Sequence, residues 1–194
     1  MTFVSLYRFA RDLNCYPVRL EGVLDSKACE LASQDELYYV PTELDPAISY
    51  GHIKQYRVPS GVYGDSKWIT EIRYHKDLNL CWKRFVCCKE LMHVFDNAEQ
   101  RTDSPEKFRA LIGELETPLP LDKASPMYQS EAVTMWKAMA VLCPRNVLNY
   151  FKPKWQSGEL SDYAVALELR VPEVFIDAIM SDKFEQLLDS MDQV

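Results

Sequence analysis

At His75 the hydrophobic period of this chain changes. Before it, HIKQYRV (52–58) and KWITEIRYH (67–75) alternate apolar and polar residues and are rich in β-branched and aromatic side chains, which marks half-buried strands. Between them Pro-Ser-Gly-Val-Tyr-Gly-Asp places glycines at 61 and 64 and supplies a hairpin loop. After His75, Leu78, Cys81, Trp82, Phe85, Cys88, Met92 and Phe95 recur every three or four residues. That spacing predicts a helix over about 79–96, with Asn79 as its N-cap and Trp82, Phe85, Met92 and Phe95 in the core.

The flanking segments read mainly as helix. The first forty residues give TFVSLYRFARDL, a break at Cys15-Tyr16-Pro17, and SKACELASQDELYY. A short helix is predicted near 105–114 and a strong one over 127–143, where Pro126 suits the first turn and Pro144 stops the run. Further helices are expected at 145–151, 161–169 and 172–189, with Trp136 and Met139 packing toward them. The fold class is therefore α+β, mainly helical with a short antiparallel sheet. We divide it into an N-terminal helical segment (1–45), a core (46–160) and an acidic C-terminal helical segment (161–194), expected to form one compact unit.

Composition removes several functional classes. No apolar run approaches the roughly 20 residues needed to span a bilayer, and MTFVSLYRFARDLN lacks a signal-peptide core, so a cytoplasmic protein without membrane association is expected. The six cysteines (15, 29, 81, 87, 88, 143) show no C-x-x-C spacing, which predicts reduced, buried thiols. Of the net charge of −7, the segment from Ser161 onward carries −6: Asp162, Glu168, Glu173, Asp177, Asp182, Glu185, Asp189 and Asp192 stand against Arg170 and Lys183. Phosphate backbones need the opposite sign. The helix-turn-helix rhythm of SDYAVALELRVPEVFIDAIM is thus read as a packing or protein-binding element, with no nucleic acid as partner.

RFVCCKELMHVFD (84–96) holds the chemistry. Lys89 and His93 are four apart, so on a helix their heads lie roughly 40° apart and about 6 Å along the axis. This is the spacing at which H-E-x-x-H chelates zinc, the glutamate acting on the bound water; here lysine stands in the first place. Asp96, three residues past His93, is a candidate replacement ligand or partner of the imidazole. Glu131, Met135, Ala138 and Leu142 share one stripe of the next strong helix. A carboxylate on a buried stripe needs a cation, a metal or several donors. Either zinc or Lys89 would meet that need. Taken alone, K-E-x-x-H is also an ordinary helix sequence, and a lone histidine on an apolar helix is usually a hydrogen-bonded core residue.

RFVCCKELMH resembles the R-F-x-x-x-H-E-x-x-H segment of the ImmA/IrrE family of zinc metallopeptidases. Glu131 to Pro144, E-x-x-x-x-x-x-A-x-x-V-L-C-P, is similar to that family's third-ligand helix, and KWITEIRYHKDL and SDYAVALELRVPEVFI fit its usual order. The resemblance implies a small zincin-like domain of cytoplasmic endopeptidases that disable transcriptional repressors, often for phages or other mobile elements. It places Glu90 at the general-base position and His93 and Glu131 at the second and third metal-ligand positions. Lys89 falls on the first ligand position and breaks the pattern. An ordinary lysine, with a pKa near 10.4, is no ligand, and its ammonium can satisfy Glu90 and Glu131 directly. The expected reading is a pseudoenzyme with a degenerate H-E-x-x-H, without a cofactor, regulatory through a protein partner such as a transcriptional repressor. The alternative is an active zinc-dependent endopeptidase with an atypical ligand set.

Overall fold

The computed structural model describes residues 2–34, 36–59, 66–102, 104–117 and 120–193. The order is α1 (Thr2–Asp12), α2 (Asp25–Ala32), β1 (Glu36–Thr42), β2 (Gly51–Pro59), β3 (Ser66–His75), α3 (Leu80–Met92), α4 (Pro105–Glu116), α5 (Pro126–Leu142), α6 (Arg145–Gln156), α7 (Asp162–Leu169), α8 (Ile176–Met180) and α9 (Asp182–Gln193), with 3-10 turns at His93–Phe95 and Glu173–Phe175. The hairpin loop expected at 60–65 lies outside the described residues.

The strands behave as their alternation requires. β2 and β3 pair antiparallel, with Ile53 opposite Ile72 and Gln55 opposite Thr70. Two expectations need correction. The sheet is mixed rather than antiparallel, ordered β1-β3-β2, because β1 pairs parallel to β3 with Tyr39 opposite Ile72. Residues 36–42 are therefore strand, although SKACELASQDELYY read as helix. Helix α2 ends at Ser33 in the left-handed region (φ 52°), and pairing with β3 then decides the conformation of Glu36–Thr42, as cross-strand packing commonly overrides local preference.

Helix α3 starts as predicted, with the Asn79 side chain accepting from Trp82 N at 3.0 Å. Phe85 and Met92 are buried while Trp82 and Phe95 are half-buried. Serines also cap α4 (Ser104), α5 (Ser125) and α7 (Ser161). The predicted helix over 172–189 is instead broken at Ser181, which caps α9 by accepting from Phe184 N. Helices α3 and α5 pack together, α3 also lies on β2 and β3, and α1 touches α5, α6 and α9. One apolar cluster runs from Leu6 to Met191. Trp136 meets Phe184 of α9 with ring centroids 6.3 Å apart.

The acidic tail is largely engaged. Arg145 pairs with Glu185 and Asp189, Lys152 with Asp182 and Glu185, and Arg11 with Asp192; Asp162 accepts from Trp155 Nε1 at 2.6 Å. Helix α8 buries Ile176, Ile179 and Met180 against the core. No helix among the described residues is long and apolar enough to cross a membrane.

Gly51 sets how closely the sheet approaches α3. A Cβ there would stand 2.5 Å from Val86 Cγ1, 3.0 Å from Arg73 O and 3.3 Å from Glu90 Cγ. Gly51→Ala is expected to lower stability by about 1–3 kcal/mol through overpacking, read as a lower urea midpoint; an unchanged midpoint would contradict this packing.

Candidate functional site

Lys89, Glu90, His93, Asp96 and Glu131 come together at one place between α3 and α5. The last turn of α3 presents Lys89 and Glu90, and the 3-10 turn that follows presents His93. Asp96 ends that turn in an extended conformation (ψ 139°). Glu131 faces them from the first half of α5. Its stripe is less buried than the sequence pattern implied: Ala138 and Leu142 are inaccessible but Met135 is exposed. The stripe emerges at its N-terminal end, so Lys89 (20% exposed) and Glu131 (27%) lie at the mouth, with Glu90 (4%) beneath.

Lys89 Nζ contacts both carboxylates: it donates to Glu131 Oε2 and, at 3.1 Å, to Glu90 Oε1. Burial opposes its charge, but Glu90 and Glu131 outweigh that and raise its pKa above the ordinary lysine value. His93 Nδ1 lies 2.7 Å from Asp96 Oδ2. Its Nε2 faces Glu131 Oε1 at 3.3 Å yet makes no hydrogen bond, so that contact is electrostatic only. Burial would lower the imidazole pKa, but Asp96 and Glu131 raise it to about 9. For Glu131, burial works upward and is overcome by His93 and Lys89, giving about 2. The site is thus a buried cluster of alternating cations and carboxylates.

Ser130 also contributes, with no signal in the sequence to announce it. Ser130, 2% exposed, donates to Asp96 and so holds the carboxylate that orients His93. His52, beside Gly51, is close enough to Glu90 to feel its charge, although burial dominates and lowers its pKa. His75 turns elsewhere and accepts from Asp77 N at 3.2 Å. Cys87, Cys88 and Cys143 are buried in the core, whereas Cys15 is exposed, contrary to the expectation of burial throughout.

Does this donor set suit zinc? Catalytic zinc takes three protein ligands from thiolate, neutral imidazole and carboxylate. Protonated Lys89 has no lone pair, and its ammonium stands against Glu131 where a ligand would be needed. Among the described residues no group of three His, Cys, Asp or Glu side chains is arranged to hold a metal ion. The residues present do not fit the ion.

The electrostatics carry a pH signature. The pKa of His93 is raised in the fold, so its contribution is fully present below the unfolded value near 6.5 and is lost as pH rises through about 9. The urea midpoint should fall steadily across that interval, and His93→Gln should flatten the fall; a wild-type midpoint constant from pH 6.5 to 9 would contradict the arrangement.

No family model, curated protein or solved structure matches this chain.

Proposed function

We propose that this chain is a zincin-like protein of ImmA/IrrE type whose catalytic centre is degenerate and which acts by binding a protein partner, of the transcriptional-repressor class that the resemblance implies. The observation that carries this reading is the position of Lys89 Nζ against both Glu90 and Glu131. In that place a side-chain cation neutralises two carboxylates that a metalloenzyme would turn toward its ion and its water. Charge-assisted hydrogen bonds of this kind remove the electrostatic demand for a metal. The rest of the arrangement, with Asp96 on His93 and Ser130 on Asp96, resembles the outer support of a metal-bound histidine. That support is what a former ligand set leaves behind when one member changes.

The test is metal analysis of protein purified without chelators, beside Lys89→His. The wild type should carry well under one zinc per chain. Lys89→His should bind zinc near stoichiometrically and gain thermal stability on zinc addition. Tightly held zinc in the wild type would overturn the reading.

A second reading, an active zinc-dependent endopeptidase with an atypical ligand set, draws on one observation: His93 Nε2 is buried without a hydrogen bond and faces Glu131. It requires chelator-sensitive cleavage of a protein substrate that Glu90→Gln abolishes.

A further inference from the structure

From the first half of α3 an aromatic chain reaches the surface. Tyr50 lies against Trp82 (ring centroids 5.4 Å apart), Trp82 against Phe175 (5.8 Å), and Phe175 is stacked on buried Phe85 (4.2 Å). Around this chain stand the exposed side chains Ile48, Tyr50 and Val174, and Val174 is 69% exposed. Three separate pieces of backbone contribute: the 43–50 connection, the first turn of α3 and the 3-10 turn Glu173–Phe175. His75 N donates to Tyr50 O at 2.8 Å and Lys76 N to Thr42 O at 3.1 Å, which ties the connection to the end of β3. Monomeric proteins seldom leave such apolar patches bare without a use for them.

The charges of these same segments say what kind of occupant fits. Asp45 and Asp77 lie in the segments on the Tyr50 side, and Glu173 and Asp177 in those on the Val174 side. Among the described residues none of the four has an ion-pair partner, whereas Asp182, Glu185, Asp189 and Asp192 of the same acidic tail are all paired. The nearby bases are mostly occupied: Lys76 pairs with Glu43, and Lys83 sits near Glu21 and over the Tyr74 ring. Exposed Arg170 is outnumbered. An aromatic surface flanked by carboxylates that lack an ion-pair partner among the described residues repels phosphate and anionic lipid and attracts lysine and arginine.

We propose that this surface docks a basic amphipathic segment of a partner protein, its apolar side chains on Trp82, Phe175 and Val174 and its lysines or arginines toward Asp45, Asp77, Glu173 and Asp177. This identifies the chemistry of the partner and rests on the reading that the protein acts by binding another protein. The fit is of the helix-in-groove kind, in which apolar anchors supply affinity and flanking charges supply orientation.

The test is calorimetric titration of the full chain with a synthetic amphipathic helix of leucine and lysine faces. Binding should weaken roughly tenfold in Glu173→Lys/Asp177→Lys, several-fold in Val174→Ser, and on raising salt from about 50 to about 300 mM. It should change less than about twofold in Glu99→Lys/Asp122→Lys, an equal charge reversal at exposed positions on other segments. No binding by the wild type, equal loss in both reversals, or no effect of Val174→Ser would each overturn the docking surface. Zinc is measured on the same wild-type preparation. Tightly held zinc with peptide binding intact overturns the proposed function alone, and metal-free protein that ignores the peptide overturns this surface alone.

Discussion

Lys89→Met is expected to cost about 2–4 kcal/mol of stability, the largest effect of any substitution at the cation cluster. An unbranched side chain of similar length is kept and the ammonium is lost. Glu90 is then left as a buried carboxylate with its counter-charge gone, and Glu131 keeps only the unaligned contact with His93. Breaking a buried ion pair costs about 3–5 kcal/mol; the partial exposure of Glu131 trims that figure. The urea midpoint at neutral pH reads the loss directly. Lys89→Met/Glu90→Gln should recover much of it, because an uncharged pair of similar shape has no stranded charge to desolvate. A single variant as stable as the wild type would mean that Lys89 does not neutralise these carboxylates.

Arg84→Ala comes next, at about 3 kcal/mol and for a different reason. Arg84 Nη1 donates to Leu169 O (2.9 Å) and Arg170 O (3.0 Å), and Nη2 donates to Val18 O (2.5 Å). Burial dominates and lowers its pKa, but a guanidinium stays protonated. One side chain of α3 thereby closes the C-terminal end of α7, where Arg170 is left-handed (φ 52°), and fastens the segment after α1. Alanine strands carbonyls that had charged donors, each worth about 1.5–3 kcal/mol, although water can replace the donor at the exposed Arg170 carbonyl. Arg84→Lys should restore less than half, since an ammonium cannot reach both segments with a planar fork. Full rescue by lysine in thermal unfolding would show that the charge alone matters and the geometry does not.

How much of this was readable beforehand depends on distance along the chain. The hairpin strands and α3 followed from local period, and the Asn79 cap from one residue type in one place. The meeting of Lys89 with Glu131 was accessible because helical spacing orients each residue on its own helix, and a carboxylate on an apolar stripe demands a partner. β1 was not, since ELYY fits either state until β3 lies beside it. The break at Ser181 was hidden because the apolar residues on both sides keep a helical period across it. Ser130 and Gly51 act only through elements remote in sequence: one supports Asp96, the other admits Glu90 and Val86 beneath the sheet. Neither residue type carries such a signal by itself.

The lysine at 89 has a consequence for how such a centre changes over generations. Lysine and histidine codons differ at their first and third bases, so no single base change converts one into the other. The one-step intermediates encode glutamine or asparagine, and both would face Glu90 and Glu131 without a charge. Each path toward a metal ligand therefore begins with a less stable protein that has gained no ligand. Selection for stability alone would hold the ammonium where it is.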